Sequence, residues 1–93
     1  MKIEFDKTFF SPFALFVIEK LKDKGHSAYL VGGSVRDLLL KIMPRDWDIA
    51  TDANPYKIKS IFKNSVIIGK RYKLVQIYFG KEKIEVSTFR KDP

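Results

Sequence analysis

Apolar and polar positions change rhythm twice along this 93-residue chain. Over residues 12–24 the apolar set Phe13, Phe16, Val17 and Leu21 recurs at helical spacing, and Ala14, Leu15 and Ile18 widen the stripe, which predicts a largely buried helix. Ser11-Pro12 suits the N-cap and first helical position, and Gly25 suits the C-terminal cap. Residues 28–31 form a short apolar run ending in Gly32-Gly33, which reads as a buried strand and a tight turn. A second helix is expected over 34–41, with Val35, Leu38 and Leu39 inward, and Pro44 breaks the connection to the next strand. Residues 45–51 read as that strand, and Asn54-Pro55 opens a third helix with Ile58, Ile61 and Phe62 apolar. Beyond Ser65 the period falls to two. Strands are expected over 66–68, 72–79 and 83–89, with Gly80, Lys81 and Glu82 turning the last pair. The order α-β-α-β-α-β-β-β predicts an α+β fold, a mixed sheet of about five strands with helices packed on it.

Length and composition agree with one small domain over 1–93, with 45% apolar residues and eight Phe for its core. The absence of Cys excludes disulfides and Cys-based metal sites, and suits the reducing cytoplasm. No signal peptide or membrane span is expected. The net charge of +7 is uneven. Residues 1–56 hold eight Lys/Arg and eight Asp/Glu, whereas 57–93 hold ten Lys/Arg against Glu82, Glu85 and Asp92. Two readings stay open for this basic part: a solvated face, or attraction to a polyanion such as RNA or a triphosphate.

Three clusters carry candidate chemistry. Gly32-Gly33-Ser34 leads from a strand into a helix, where bare backbone N–H groups and the helix N-terminus suit a phosphate. It lacks the GK[ST] of a P-loop and the spacing of a dinucleotide fingerprint, and alone such a pair is most often a turn. Arg36 stands within reach of the helix start with a guanidinium suited to phosphate, and Asp37 accompanies it. Asp46-Trp47-Asp48-Ile49 alternates acid and apolar, so both carboxylates share a strand face about 6.6 Å apart along the backbone. Two like charges there repel, and a hard divalent cation such as Mg²⁺ relieves the repulsion. Glu85, in Ile84-Glu85-Val86-Ser87, is a third acid if its strand lies beside that of Asp46. Each cluster alone has an ordinary structural explanation; the ordered combination does not.

The stretches AYLVGGSVRDLLL, PRDWDIATDANP and IEVSTFRKDP resemble the head domain of class II tRNA nucleotidyltransferases. That family comprises the CCA-adding enzymes and bacterial poly(A) polymerases, within the DNA polymerase beta-like superfamily. The resemblance implies a nucleotidyltransferase head that transfers NMP from CTP or ATP to the 3′ end of tRNA or another RNA, with Mg²⁺ as cofactor. It also implies roles. Gly32, Gly33, Ser34, Arg36 and Asp37 would bind the triphosphate, and Asp46, Asp48 and Glu85 would hold metal and carry catalysis. Arg90 and Asp92 match the Phe-Arg-x-Asp that closes the last motif, and Arg90 joins the nucleotide-binding set.

Lys41 stands where the family has Gly, and Tyr72-Lys73 where it has Phe-Gly. The family's neck, body and tail have no counterpart within these 93 residues, so transfer by the chain alone is expected to be weak or absent, and a separate chain carrying those parts is one partner this reading allows. A homodimer through Trp47 and the Phe-rich helix is a further expectation. Two other functions stay open: a non-catalytic module of the same fold that binds nucleotide or RNA, and a nucleotidyltransferase acting on small molecules. A pure binding module has no need for three acids beside a glycine bend.

Overall fold

The computed structural model describes residues 11–32 and 47–89. Helix α1 (Pro12–Asp23) begins where the sequence says it should. The Ser11 hydroxyl accepts the Ala14 N–H at 3.4 Å, and Pro12 starts the helix without needing a donor. It stops at Lys24, and Gly25 turns the chain away at φ +87°, a conformation open to glycine at little cost. Helix α2 (Pro55–Ile61) repeats the device, with the Asn54 side chain accepting the Lys57 N–H at 2.8 Å.

Among the described residues, five strands occur in chain order: β1 (Ala28–Val31), β2 (Trp47–Thr51), β3 (Ser65–Ile68), β4 (Leu74–Phe79) and β5 (Glu82–Thr88). They form one mixed sheet in the order β1-β2-β5-β4-β3. The central pair, β2 and β5, runs parallel; its neighbours pair antiparallel. Gly80 and Lys81 alone turn the β4–β5 hairpin, since Phe79 already pairs with Glu82, so β5 starts one residue before the expected strand. The expected helix over 34–41 lies outside the described residues.

Both helices pack on one face of the sheet, α1 over β1 and β2, α2 over β3 and β4. Between them lies a core of Ala14, Val17, Leu21, Ile58 and Phe62 from the helical layer against Trp47, Ile49, Val75, Ile77, Ile84 and Val86 from the sheet. Burying each large apolar side chain there contributes roughly 1.5–3 kcal/mol. Among the described residues, no helix is long and apolar enough to cross a membrane.

Three expectations need correction. Helix α1 is buried only along Ala14, Val17 and Leu21; Phe13 is 39% and Phe16 46% exposed. A helix lying on a sheet can bury one stripe, and the outer Phe residues instead shield Phe79 and Phe62, with Phe13 stacked on Phe79 at 4.6 Å. Trp47 offers no surface for self-association, because it is 2% exposed at the centre of the core. Strand β1 is not buried throughout: it lies outermost in the sheet order, and Tyr29 points outward at 57% exposure.

Candidate active site

Alternation on β2 sends Trp47, Ile49 and Thr51 into the core and leaves Asp48 half-buried on the face opposite the two described helices. Strand β5 does the same, with Ile84 and Val86 inward and Glu85 half-buried on the far side. Parallel pairing then matters. Asp48 and Glu85 are register partners, so their carboxylates rise from neighbouring strands about 4.8 Å apart. One row of that face reads Val31, Asp48, Glu85, Gln76, Val66 from β1 to β3.

The register is held from the ends of the strands. The buried Thr51 hydroxyl donates to the Ser27 carbonyl at 2.6 Å and accepts the Ala53 N–H at 3.2 Å. The Thr88 hydroxyl donates to the Ala53 carbonyl at 2.7 Å, and the Phe89 N–H to the Thr51 carbonyl at 2.9 Å. Asp52 accepts the Ser27 N–H at 3.0 Å and lies 3.4 Å from His26 Nδ1. At the other end of β5, the Ser11 hydroxyl donates to the Glu82 carboxylate at 2.9 Å, joining the start of α1 to the strand that carries Glu85. Slippage by two residues would keep every apolar side chain inward, but it would break these end contacts.

Gly32 completes the arrangement. It comes directly after β1 at φ +75°, and a Cβ built on it would lie 3.0 Å from Asp48 Oδ2. The bend therefore turns its bare backbone toward the acid. Gly32, Asp48 and Glu85 line one cleft with Val31, Leu74 and Ser87. Glu85 is also engaged from β4: Gln76 Nε2 donates to its Oε1 at 3.1 Å, and the Tyr78 hydroxyl donates to Gln76 Oε1 at 2.7 Å. Lys83 Nζ lies 3.9 Å from the same Glu85 oxygen.

The donor set fits a hard cation, since carboxylate oxygens on one face with no thiol or imidazole among them are what Mg²⁺ or Mn²⁺ takes. Among the described residues, no three His, Cys, Asp or Glu side chains converge on one point; Asp48 and Glu85 contribute two. Asp46 lies outside the described residues, as do Gly33, Ser34, Arg36, Asp37 and Arg90. Gln76 and Tyr78 were not singled out from sequence. Their signal was present as the polar phase of Leu74-Val75-Gln76-Ile77-Tyr78, yet only pairing with β5 aims that phase at Glu85.

Similar proteins are numerous. The profile of the Poly A polymerase head domain matches residues 28–93. Poly(A) polymerase I of Haemophilus influenzae is 50% identical over 82 residues, covering 87% of this chain and 18% of that protein. A CCA-adding enzyme of Lactobacillus gasseri is 46% identical over 77 residues, 83% of this chain and 19% of that one. Among solved structures, the Bacillus stearothermophilus CCA-adding enzyme in complex with CTP superposes with a TM-score of 0.74 at 42% identity, over 82% of this chain and 19% of that one. The chain thus spans less than a fifth of the length of these relatives.

Proposed function

The chain belongs to the poly(A) polymerase head-domain family, and from that membership we propose that residues 1–93 act as the nucleotide-transferring head of an RNA nucleotidyltransferase. The substrates are ATP or CTP and the 3′ end of tRNA or another RNA, with Mg²⁺ as the cation; the compartment that holds them is the cytoplasm. Relatives named for poly(A) polymerase and CCA addition support the class of reaction, and the neighbour bound to CTP supports the class of nucleotide. The observation that carries the reading is the register of Asp48 against Glu85 beside the Gly32 bend.

The proposed chemistry uses few parts. The 3′-hydroxyl of RNA gives up its proton to solvent as its oxygen bonds to the α-phosphorus of the NTP, while the bond from that phosphorus to the β-phosphate bridging oxygen breaks, releasing pyrophosphate. Gly32 and Gly33 admit the triphosphate against backbone N–H groups, with Ser34, Arg36, Asp37 and Arg90 completing its site. Asp46, Asp48 and Glu85 would hold the cation. When bound, it supplies activation of the attacking hydroxyl and neutralisation of the leaving phosphates. The rest is positioning in line, which alone lowers such barriers by several kcal/mol.

Binding of ATP and CTP by the full chain, titrated with and without Mg²⁺, tests the reading. Asp46→Ala and Asp48→Ala should each abolish Mg²⁺-dependent nucleotide binding while the far-UV spectrum and melt stay native. Labelled CTP or ATP should enter tRNA lacking its 3′ end when the remainder of such a relative is supplied in trans. Unchanged Mg²⁺ dependence in both variants defeats the metal assignment. Nucleotide binding that needs neither cation nor acids would mark a binding module instead.

A further inference from the structure

A half-buried glutamate on a sheet face has several rotatable bonds, and ordering such a side chain costs up to about 2 kcal/mol of rotamer freedom. A carboxylate that must meet a cation at a fixed place gains if that ordering is done beforehand. Glu85 is ordered from β4. Gln76 stands directly across the antiparallel pair from it, and the Gln76 amide donates to Oε1 at 3.1 Å.

The direction of that amide is not arbitrary. An ionised carboxylate only accepts hydrogen bonds, so Gln76 must present its NH₂ to Glu85, leaving its carbonyl oxygen on the other side. The Tyr78 hydroxyl, two residues along the same face, donates to that oxygen at 2.7 Å. Tyr78 is itself held at its backbone: its N–H donates to the Asn64 carbonyl, and its carbonyl accepts from the Asn64 side chain, both at 2.9 Å. Donation therefore runs one way, from Tyr78 to Gln76 to Glu85.

The chemistry of the donor matters as much as its place. A lysine or arginine opposite Glu85 would cancel the charge that a cation needs. The neutral amide orients the carboxylate and leaves its charge intact. Lys83 lies 3.9 Å away with its side chain 46% exposed, a long and screened contact. Gln76 and Lys83 both address Oε1, and among the described residues nothing bonds to Oε2.

We propose that Gln76, held by Tyr78, is a positioning residue: it fixes one oxygen of Glu85 so that the other is presented to the cation shared with Asp48. This rests on the cation site proposed above. Mn²⁺, added alone to the full chain and monitored by the loss of its free-ion paramagnetic resonance signal, is the test. Gln76→Leu should weaken Mn²⁺ binding about tenfold, the lower end of what removing such a partner costs. Tyr78→Phe should weaken it a few-fold, roughly in proportion to a less restrained amide. Because Tyr78 acts through Gln76, the double variant should bind no more weakly than Gln76→Leu alone, a non-additivity that a merely structural role would not produce. Gln76→Met, which keeps chain length and strand packing, is read the same way if Gln76→Leu fails to fold. Wild-type binding with unchanged affinity in the Gln76 variants overturns this proposal alone. Loss of Mn²⁺ binding in no variant, Asp48→Ala included, or no binding by the wild type, overturns the cation site and this proposal with it.

Discussion

Replacing Gly32 by alanine separates two effects that the structure superimposes at one residue. The first is backbone strain. At φ +75° an L-residue costs roughly 1–2 kcal/mol more than glycine, partly offset by about 0.4–1 kcal/mol from a less flexible unfolded chain. The net loss of stability is then about 1 kcal/mol, which lowers Tm by about 4–8 °C in a domain of this size. The second effect is contact. The new methyl would lie 3.0 Å from Asp48 Oδ2 and 3.7 Å from its Cβ and Cγ, closer to the oxygen than carbon ordinarily approaches. Asp48 sits on a strand held at its Thr51 end and flanked by the buried Trp47 and Ile49, so its carboxylate must swing rather than the strand move. Gly25 provides the control. It has nearly the same backbone, φ +87°, with nothing within 4 Å of an added Cβ. Gly25→Ala and Gly32→Ala should therefore lose similar stability in thermal melts, while only Gly32→Ala loses Mn²⁺ and Mg²⁺-nucleotide affinity, by about tenfold, the scale on which disturbing a ligand's support weakens a metal site. Equal cation affinity in the two variants would refute the claim that the bend and Asp48 form one site.

Other consequences are as direct. Ser11→Ala removes both the α1 cap and the bond to Glu82, so urea unfolding should show a loss of about 1–2 kcal/mol; a loss under about 0.5 kcal/mol would deny the cap. Thr51→Val leaves the Ser27 carbonyl and Ala53 N–H without their hydroxyl partner and should cost about 1–3 kcal/mol by the same measurement, with near-neutral behaviour counting against that contact as a register lock. Trp47 is the single tryptophan and lies in the core, so native emission should be blue-shifted and resist acrylamide, shifting red on unfolding; strong quenching of the native protein would put β2 the wrong way round.

Much of this molecule was legible beforehand because the responsible physics is local. Ser11-Pro12 and Asn54-Pro55 announce helix starts, since a side-chain acceptor and a residue without a donor answer the needs of a first turn. The two-residue hairpin turn was marked by Gly80, which takes φ +62°. The alternation Trp47-Asp48-Ile49 and Ile84-Glu85-Val86 assigned each acid to the face opposite the core. The excess width of the α1 apolar stripe misled for the opposite reason. Composition counts apolar residues but does not reveal that a single layer of sheet covers one side of the helix, leaving Phe13 and Phe16 to shield the rim.

The sequence by itself determined which residues are acids, which face of each strand they occupy, and the family whose motifs they match. Tertiary structure decided who stands beside whom. Period-two patterning is blind to shifts by two residues and to the order of strands in a sheet, so it could not set Asp48 level with Glu85 or turn Gln76 toward it. Those choices come from hydrogen bonds between segments far apart in the chain, such as Thr51 to Ser27 and Thr88 to Ala53, whose energy exists only once the sheet has closed.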